Sequence, residues 1–265
     1  ESASEHQIPV IVLDRPNPLG GLKIEGPLPR EEYQSFEAYH LVPVRHGMTI
    51  GELLLMVNEM GWVKDLKRVD LSIVPMANWK REQYIDETQL PWKKPAPYIK
   101  DLNTLIMYSG MDLFRGTNIN IGFGTDTPYL RFGSPWLATK FFIEKLDMLN
   151  LPGVKFKEVE FRPKGSPYYN RVPKYNGRQC SGIEISISDK KLVKPLETAT
   201  SIIALISQLH PREFKWEAHG YIDRLFGSNQ LRLFIAQKKP PGYLSPQYMH
   251  DEIEFSKFRG TFLLY

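Results

Sequence analysis

The sequence predicts an α/β fold in two parts. Three observations carry that reading. Short, continuous apolar runs stop at polar loops, as buried strands do. Between them lie segments whose apolar residues recur at helical spacing. The chain has 265 residues, which suits one large domain or two small ones, and Gly153 marks a break after the first helical stretches.

The elements follow in order. IPVIVL (Ile8 to Leu13) reads as a buried strand, parallel in character, with Asp14 at its polar end. DRPNPLGG follows, a loop fixed by two prolines and two glycines. Rigid loops after strand ends are where α/β proteins place ligand groups, though an ordinary strand-to-loop turn uses the same residues. TIGELLLMVNEM (Thr49 to Met60) puts Ile50, Leu53, Leu54, Val57 and Met60 on one helical face. Thr49 and Glu52 have capping-box spacing and Gly61 can end the helix, so Glu52 reads as a cap partner rather than a catalytic acid. LSIVPM (Leu71 to Met76) is a second strand. A loop-rich tract from Trp79 to Tyr98 follows, then a short helix over Asp101 to Tyr108. Ser134 as N-cap and Pro135 at the first helical position predict a helix from there to about Asn150. Beyond Gly153 come a strand over Val154 to Phe161, a tyrosine-rich loop through Lys174 and an alternating strand over Ile183 to Ser188. Helices are expected over Glu197 to Leu209, Tyr221 to Phe226 and Gln247 to Phe258, and the apolar end of FRGTFLLY predicts a docked C-terminus.

Composition excludes several classes. A net charge of +4, spread along the chain, is no nucleic-acid footprint. No apolar run is long enough to span a bilayer. Cys180 is the only cysteine, which rules out an internal disulfide and a multi-cysteine zinc site. The six histidines are dispersed with none at i,i+4 on one helix, so no metal site is predicted.

GTNINIGFGT (Gly116 to Thr125) could be a phosphate cradle, a sugar loop or a turn. A P-loop needs Lys and Ser/Thr after its last glycine; here Thr125, Asp126 and Thr127 follow. The Rossmann fingerprint lacks its third glycine, and no G-x-S-x-G elbow occurs. What remains is a polar loop of Thr117, Asn118, Asn120 and Thr125, suited to hydroxyls and acetamides. Arg45 and His46 lie near the start of the first long helix, where an anion is favoured or where both side chains pair with neighbouring acids.

A series of motifs carries a resemblance. LDRPNPLGG (Leu13 to Gly21), EGP (Glu25 to Pro27), RHGMTIGEL (Arg45 to Leu53), LPW (Leu90 to Trp92) and GTN (Gly116 to Asn118) occur in order. They are followed by GT (Gly124, Thr125), GSPW (Gly133 to Trp136), CSG (Cys180 to Gly182) and the closing LLY (Leu263 to Tyr265). In these the chain resembles the exo-β-N-acetylmuramidase family of NamZ type over its whole length, as a divergent member lacking the family's N-terminal segment.

The resemblance implies the C-terminal part of a Rossmann-like domain followed by a smaller α/β (α+β) domain. Residues 1–137 would be the partial Rossmann-like catalytic-type domain and 138–265 the auxiliary domain, with a cleft between. It implies a bacterial peptidoglycan-fragment glycosidase for cell-wall recycling that releases terminal N-acetylmuramic acid; it needs no cofactor, meets no nucleic acid and is exported to the periplasm or outside the cell. The alternative is a catalytically inactive muramyl-sugar-binding protein of the same fold. The expected substrate-binding residues are Asp14, Arg15, Asn17, Arg45, His46, Thr117, Asn118 and Thr125. In them Asp14, Arg15 and Asn17 shape the cleft floor, Arg45 faces a carboxylate with His46 beside it, and the other three hold sugar hydroxyls.

The chain departs from the family pattern at several positions. The family loop reads EGTN-x-SEGRGT, where this chain has Arg115, Ile121 and Phe123 for Glu, Glu and Arg; PSPN becomes PAPY, with Tyr98 for Asn. Most glycosidases use two carboxyl groups. No catalytic residue is assigned, and Asp14, Glu25 and Asp126 stand as the remaining acids.

Overall fold

The computed structural model describes residues 1–63, 65, 67–165 and 172–265. In chain order its main elements are α1 (Ser2–Glu5), β1 (Val10–Leu13), α2 (Ile50–Glu59), β2 (Leu71–Val74), α3 (Leu102–Met111), β3 (Arg131–Ser134), α4 (Thr139–Asp147), β4 (Val154–Phe161), β5 (Cys180–Ile187), α5 (Pro195–Leu209), α6 (Tyr221–Phe226), α7 (Gln230–Ala236) and α8 (Ser245–Arg259). They fall into two compact units. The first comprises residues 1–28, 40–92 and 250–265; the second comprises 29–39 and 93–249. The expected boundary at 137–138 falls inside the second unit, between β3 and α4.

In the first unit β1 and β2 pair in parallel, with Val10 opposite Leu71 and Leu13 opposite Val74. The helix between them is α2, as a parallel connection requires. Its capping box is formed: Thr49 Oγ1 accepts from the Glu52 N–H and a Glu52 carboxylate oxygen accepts from the Thr49 N–H. Gly61 follows at φ +64°, the left-handed position at which such helices stop. Gly51 is required for a different reason. A Cβ there would stand 2.7 Å from the Asp14 carboxyl carbon and 2.9 Å from Ile73 Cγ2, so helix and strand ends could not approach. The apolar cluster of this unit is small: Met48, Met56, Phe255 and Phe262, with Leu53 and Trp62 among the residues packed around it.

The strand expected over Ile8 to Leu13 is present but is not buried on both faces. Ile11 and Leu13 are 69% and 72% exposed, and Val74 beside them is 47% exposed. Among the described residues this sheet has two strands, and the side chains on one face of it are exposed.

The second unit holds a three-stranded antiparallel sheet in the order β3-β5-β4. Gly133 and Gly182 face each other across β3 and β5; a Cβ on Gly182 would lie 2.2 Å from the Phe132 carbonyl oxygen. Its core helix is α5, with 11 of its 15 residues buried, among them Ile202, Ile203 and Ile206. Against it α3 packs at Gly110, where a Cβ would meet the Pro195 carbonyl oxygen at 2.0 Å. The helix expected from Ser134 begins instead at Thr139. Ser134 is opposite Ser181 in the ladder, and that pairing commits its backbone to the sheet. The strand expected from Ile183 begins at Cys180. Residues 166–171 of the tyrosine-rich loop before Lys174 lie outside the described residues.

Candidate functional site

Asp14 closes β1, and its carboxylate is buried and fully engaged. Thr49 Oγ1 donates to it at 2.6 Å, Tyr265 OH at 2.9 Å, the Gly51 N–H at 2.8 Å and the Arg15 N–H at 2.9 Å. Beside it Glu52 is wholly buried and accepts from the Thr49 and Leu264 N–H groups and from Arg81 Nη2. Arg81 in turn donates to the Gly47 and Tyr265 carbonyls, each at 3.0 Å. The C-terminus is thus docked, as expected, by both ends of its last tyrosine. Burial pushes the Tyr265 hydroxyl up to about 12, so it stays a donor.

The neighbouring expected residues also meet partners within the chain. Asn17 donates to the Met48 carbonyl and accepts from the Leu19 N–H, both at 2.9 Å, which fixes the proline–glycine corner. Arg45 is buried and donates to the Leu19 carbonyl at 3.3 Å and to Tyr84 OH at 2.9 Å. His46 Nδ1 accepts from the Met48 N–H at 3.1 Å, and burial with the Arg259 charge pushes its pKa down to about 4. Arg15 stands apart, with an exposed guanidinium. Glu25 is buried, and its backbone pairs with that of Arg45.

The second unit places the opening loop. Thr117 Oγ1 donates to the Phe114 carbonyl at 2.9 Å. Asn118 donates to the Glu213 carbonyl at 2.8 Å and accepts from the Lys215 N–H at 3.0 Å, clipping the 213–216 segment to the loop. Thr125 Oγ1 donates to the Gly122 carbonyl at 2.7 Å. Gly122 and Gly124 adopt φ +77° and +82°, and a Cβ at either would strike a backbone oxygen within 2.6 Å. The glycines serve the turn, and these three polar side chains brace it. Asp126 is exposed, and its carbonyl accepts from Lys100 Nζ at 2.7 Å.

The same loop forms one wall of a chamber of about 1040 Å³ lying wholly within the second unit. Ile119, Asn120, Ile121 and Phe123 line it, and so do Tyr98 and Arg115. Tyr98, Arg115, Ile121 and Phe123 therefore face one space. Tyr98, Phe123 and Tyr129 form an aromatic wall with ring centroids 5.2–6.0 Å apart. Tyr129 OH donates to Asp112 at 3.0 Å, and burial raises the pKa of that carboxyl against the pull of Arg115.

Charged groups complete the lining. Arg115 pairs with Asp112 at 3.0 Å and Glu37 at 3.5 Å, and Glu37 also accepts from Tyr221 OH at 3.2 Å. Lys174 pairs with Glu217 at 3.2 Å and donates to the carbonyls of Phe114, Arg115 and Thr117. Burial lowers its pKa, opposed by Glu217. Arg224 lies over the Tyr221 ring at 5.7 Å. Aromatic side chains beside fixed donors and carboxylates suit a sugar, whose ring faces are apolar and whose edges are hydroxyls. Glu37, Glu217, Tyr221 and Arg224 escaped sequence reasoning. The signal that could have located the chamber was the run of departures at Tyr98, Arg115, Ile121 and Phe123. Among the described residues no group of three His, Cys, Asp or Glu could hold a metal, and no helix is long and apolar enough to cross a membrane.

These features define an α/β protein of two compact units with an aromatic and charged chamber in the second. The chain belongs to the exo-β-N-acetylmuramidase NamZ family: the family's N-terminal part matches residues 1–103 and its C-terminal part residues 106–265. It is 35% identical, over all 265 residues, to the peptidoglycan β-N-acetylmuramidase NamZ of Bacillus subtilis, and spans 61% of that protein's length. Two crystal structures of DUF1343 family proteins from Bacteroides fragilis match the whole chain over 68% of theirs. Their TM-scores are 0.89 and 0.78, at 27% and 26% identity.

Proposed function

We propose that this chain is the substrate-holding part of a peptidoglycan-fragment glycosidase that releases terminal N-acetylmuramic acid. The chamber carries the proposal: a space of about 1040 Å³ with an aromatic wall and two carboxylates, Glu37 and Glu217, in its lining. Family membership over both parts supports the same chemistry. Glycoside hydrolysis needs a proton donor and a second carboxylate beside the scissile bond. Glu37 and Glu217 are our candidates, with Asp112 behind Arg115 holding that wall in place. Asp14, Arg15, Asn17, Arg45 and His46 then frame the rigid corner of the first unit, and Thr117, Asn118 and Thr125 set the loop that walls the chamber. We further propose that the two strands of the first unit belong to a Rossmann-like sheet and that the protein is exported, since its substrate is wall material.

The test is release of chromophore from a chromogenic N-acetylmuramic acid glycoside by the protein at its full natural length. Turnover is expected, and Glu37→Gln or Glu217→Gln should lower kcat by about 100-fold or more if that residue carries the proton. One observation favours a second reading, a muramyl-sugar-binding protein without turnover. Arg115 and Ile121, which replace the carboxylates of the family pattern, face the chamber. Saturable binding by calorimetry with no release selects that reading. Absence of both release and binding removes the chamber from consideration.

A further inference from the structure

The chamber's cations are not equivalent. Arg115 is held between Asp112 and Glu37, and Lys174 by Glu217 and three backbone carbonyls. Their charge is already spent. Among the described residues, Arg224 is the one cation in the lining with no carboxylate partner. It is exposed on α6, one helical turn from Tyr221, and its guanidinium lies 5.7 Å from the centre of that ring. The Tyr221 hydroxyl is anchored in turn on Glu37 at 3.2 Å. Arg115 lies over the same ring at 5.4 Å, and a cation–π contact costs the Arg224 guanidinium none of its N–H groups. It limits rotamer freedom while leaving a planar fork free to take a carboxylate with two parallel hydrogen bonds.

We infer that Arg224, held by Tyr221, is the residue that selects a negatively charged sugar: it pairs with a carboxylate borne by the ligand while the ring rests on the aromatic wall. This rests on the reading of the chamber as the sugar site. It also assigns carboxylate recognition to a side chain different from Arg45, which is buried against Tyr84 and the Leu19 carbonyl.

The test compares two sugars that differ only in the charge of the acid: N-acetylmuramic acid and its neutral carboxamide, titrated calorimetrically into the full-length protein at low salt. The wild type is expected to bind the acid about tenfold more tightly, a margin that shrinks as salt rises because an exposed charge is screened. In Arg224→Ala the ratio should fall to near one, with circular dichroism reporting an unchanged fold. A wild-type ratio near one overturns the inference and leaves the sugar site standing. So does a preference that survives in Arg224→Ala. If neither sugar binds the wild type, the chamber reading fails and the inference fails with it.

Discussion

The two units are held together by different physics. The second has an apolar centre: α5 is buried along nearly its whole length and Phe114, Phe132 and Phe142 are fully enclosed. The first has a small apolar cluster and, beside it, a buried polar network of Asp14, Thr49, Glu52, Arg81 and Tyr265. Apolar burial is roughly proportional to area, so losing one side chain costs its share. A buried charge that loses its partner keeps its full desolvation penalty. Equal-sized deletions should therefore damage the first unit more steeply than the second.

The sharpest test is Arg81→Ala, which leaves the wholly buried Glu52 without its cation. We expect a loss of about 4 kcal/mol, read as a lower denaturant midpoint and as faster hydrogen exchange in residues 40–92. The loss should be partly recovered in the double variant Arg81→Met with Glu52→Met, in which neither member of that ion pair remains. If the single variant costs under about 1 kcal/mol, the network is not what holds the unit.

Ile202→Ala is the matched deletion in the second unit. Ile202 is fully buried on α5, and large-to-small changes in such places cost about 3 kcal/mol with a cavity left behind. Exchange should rise around α5 and α3. Replacing Ile202 by Val should cost about 1 kcal/mol, the graded response expected of an apolar core.

Acid should discriminate between the units as well. His46 has its pKa pushed down to about 4 from an ordinary 6.5, so the unfolded chain takes up the proton first. Stability is unaffected above pH 6.5, falls as pH drops below it, and stops falling near pH 4. The full loss is on the order of 3 kcal/mol. His46→Asn keeps an acceptor for the Met48 N–H and removes the titration, so its pH–stability curve should be flatter over that window. An unchanged curve would assign the acid sensitivity elsewhere.

How much of this was legible in the sequence follows the range of the interactions. The capping box of α2, the Gly61 stop and the bounds of β4 and α6 depend on neighbours a few residues away and are read directly. The four residues of β3 carry no alternation of their own; β5 imposes their pairing, and so the Ser-Pro signal at Ser134 misled. The exposed face of β1 was illegible because an apolar run does not say whether a covering layer is present. At the site, Thr117 and Asn118 were visible as polar groups, but not that their partners would be the Phe114 carbonyl and the 213–216 backbone. Glu37 and Glu217 sit in unremarkable polar segments, and tertiary packing alone brings both to the chamber.

The smallest effect bears most directly on whether the first unit's network acts as a unit. Each half of the molecule offers one comparable helix cap. In the second, the Asp101 carboxylate accepts from the Thr104 N–H and hydroxyl, both at 2.8 Å, and serves α3 alone. In the first, Thr49 Oγ1 accepts from the Glu52 N–H and also donates to Asp14. Asp101→Ala should cost about 1 kcal/mol, the ordinary value of a cap. Thr49→Ala should cost about 2 kcal/mol, because it strips a donor from a buried carboxylate as well. Thr49→Ser keeps both hydrogen bonds and should restore most of the loss. Chemical denaturation of the three variants measures the difference. If Thr49→Ala and Asp101→Ala cost the same, the hydroxyl is only a cap, and Asp14 is held by its other three donors without it.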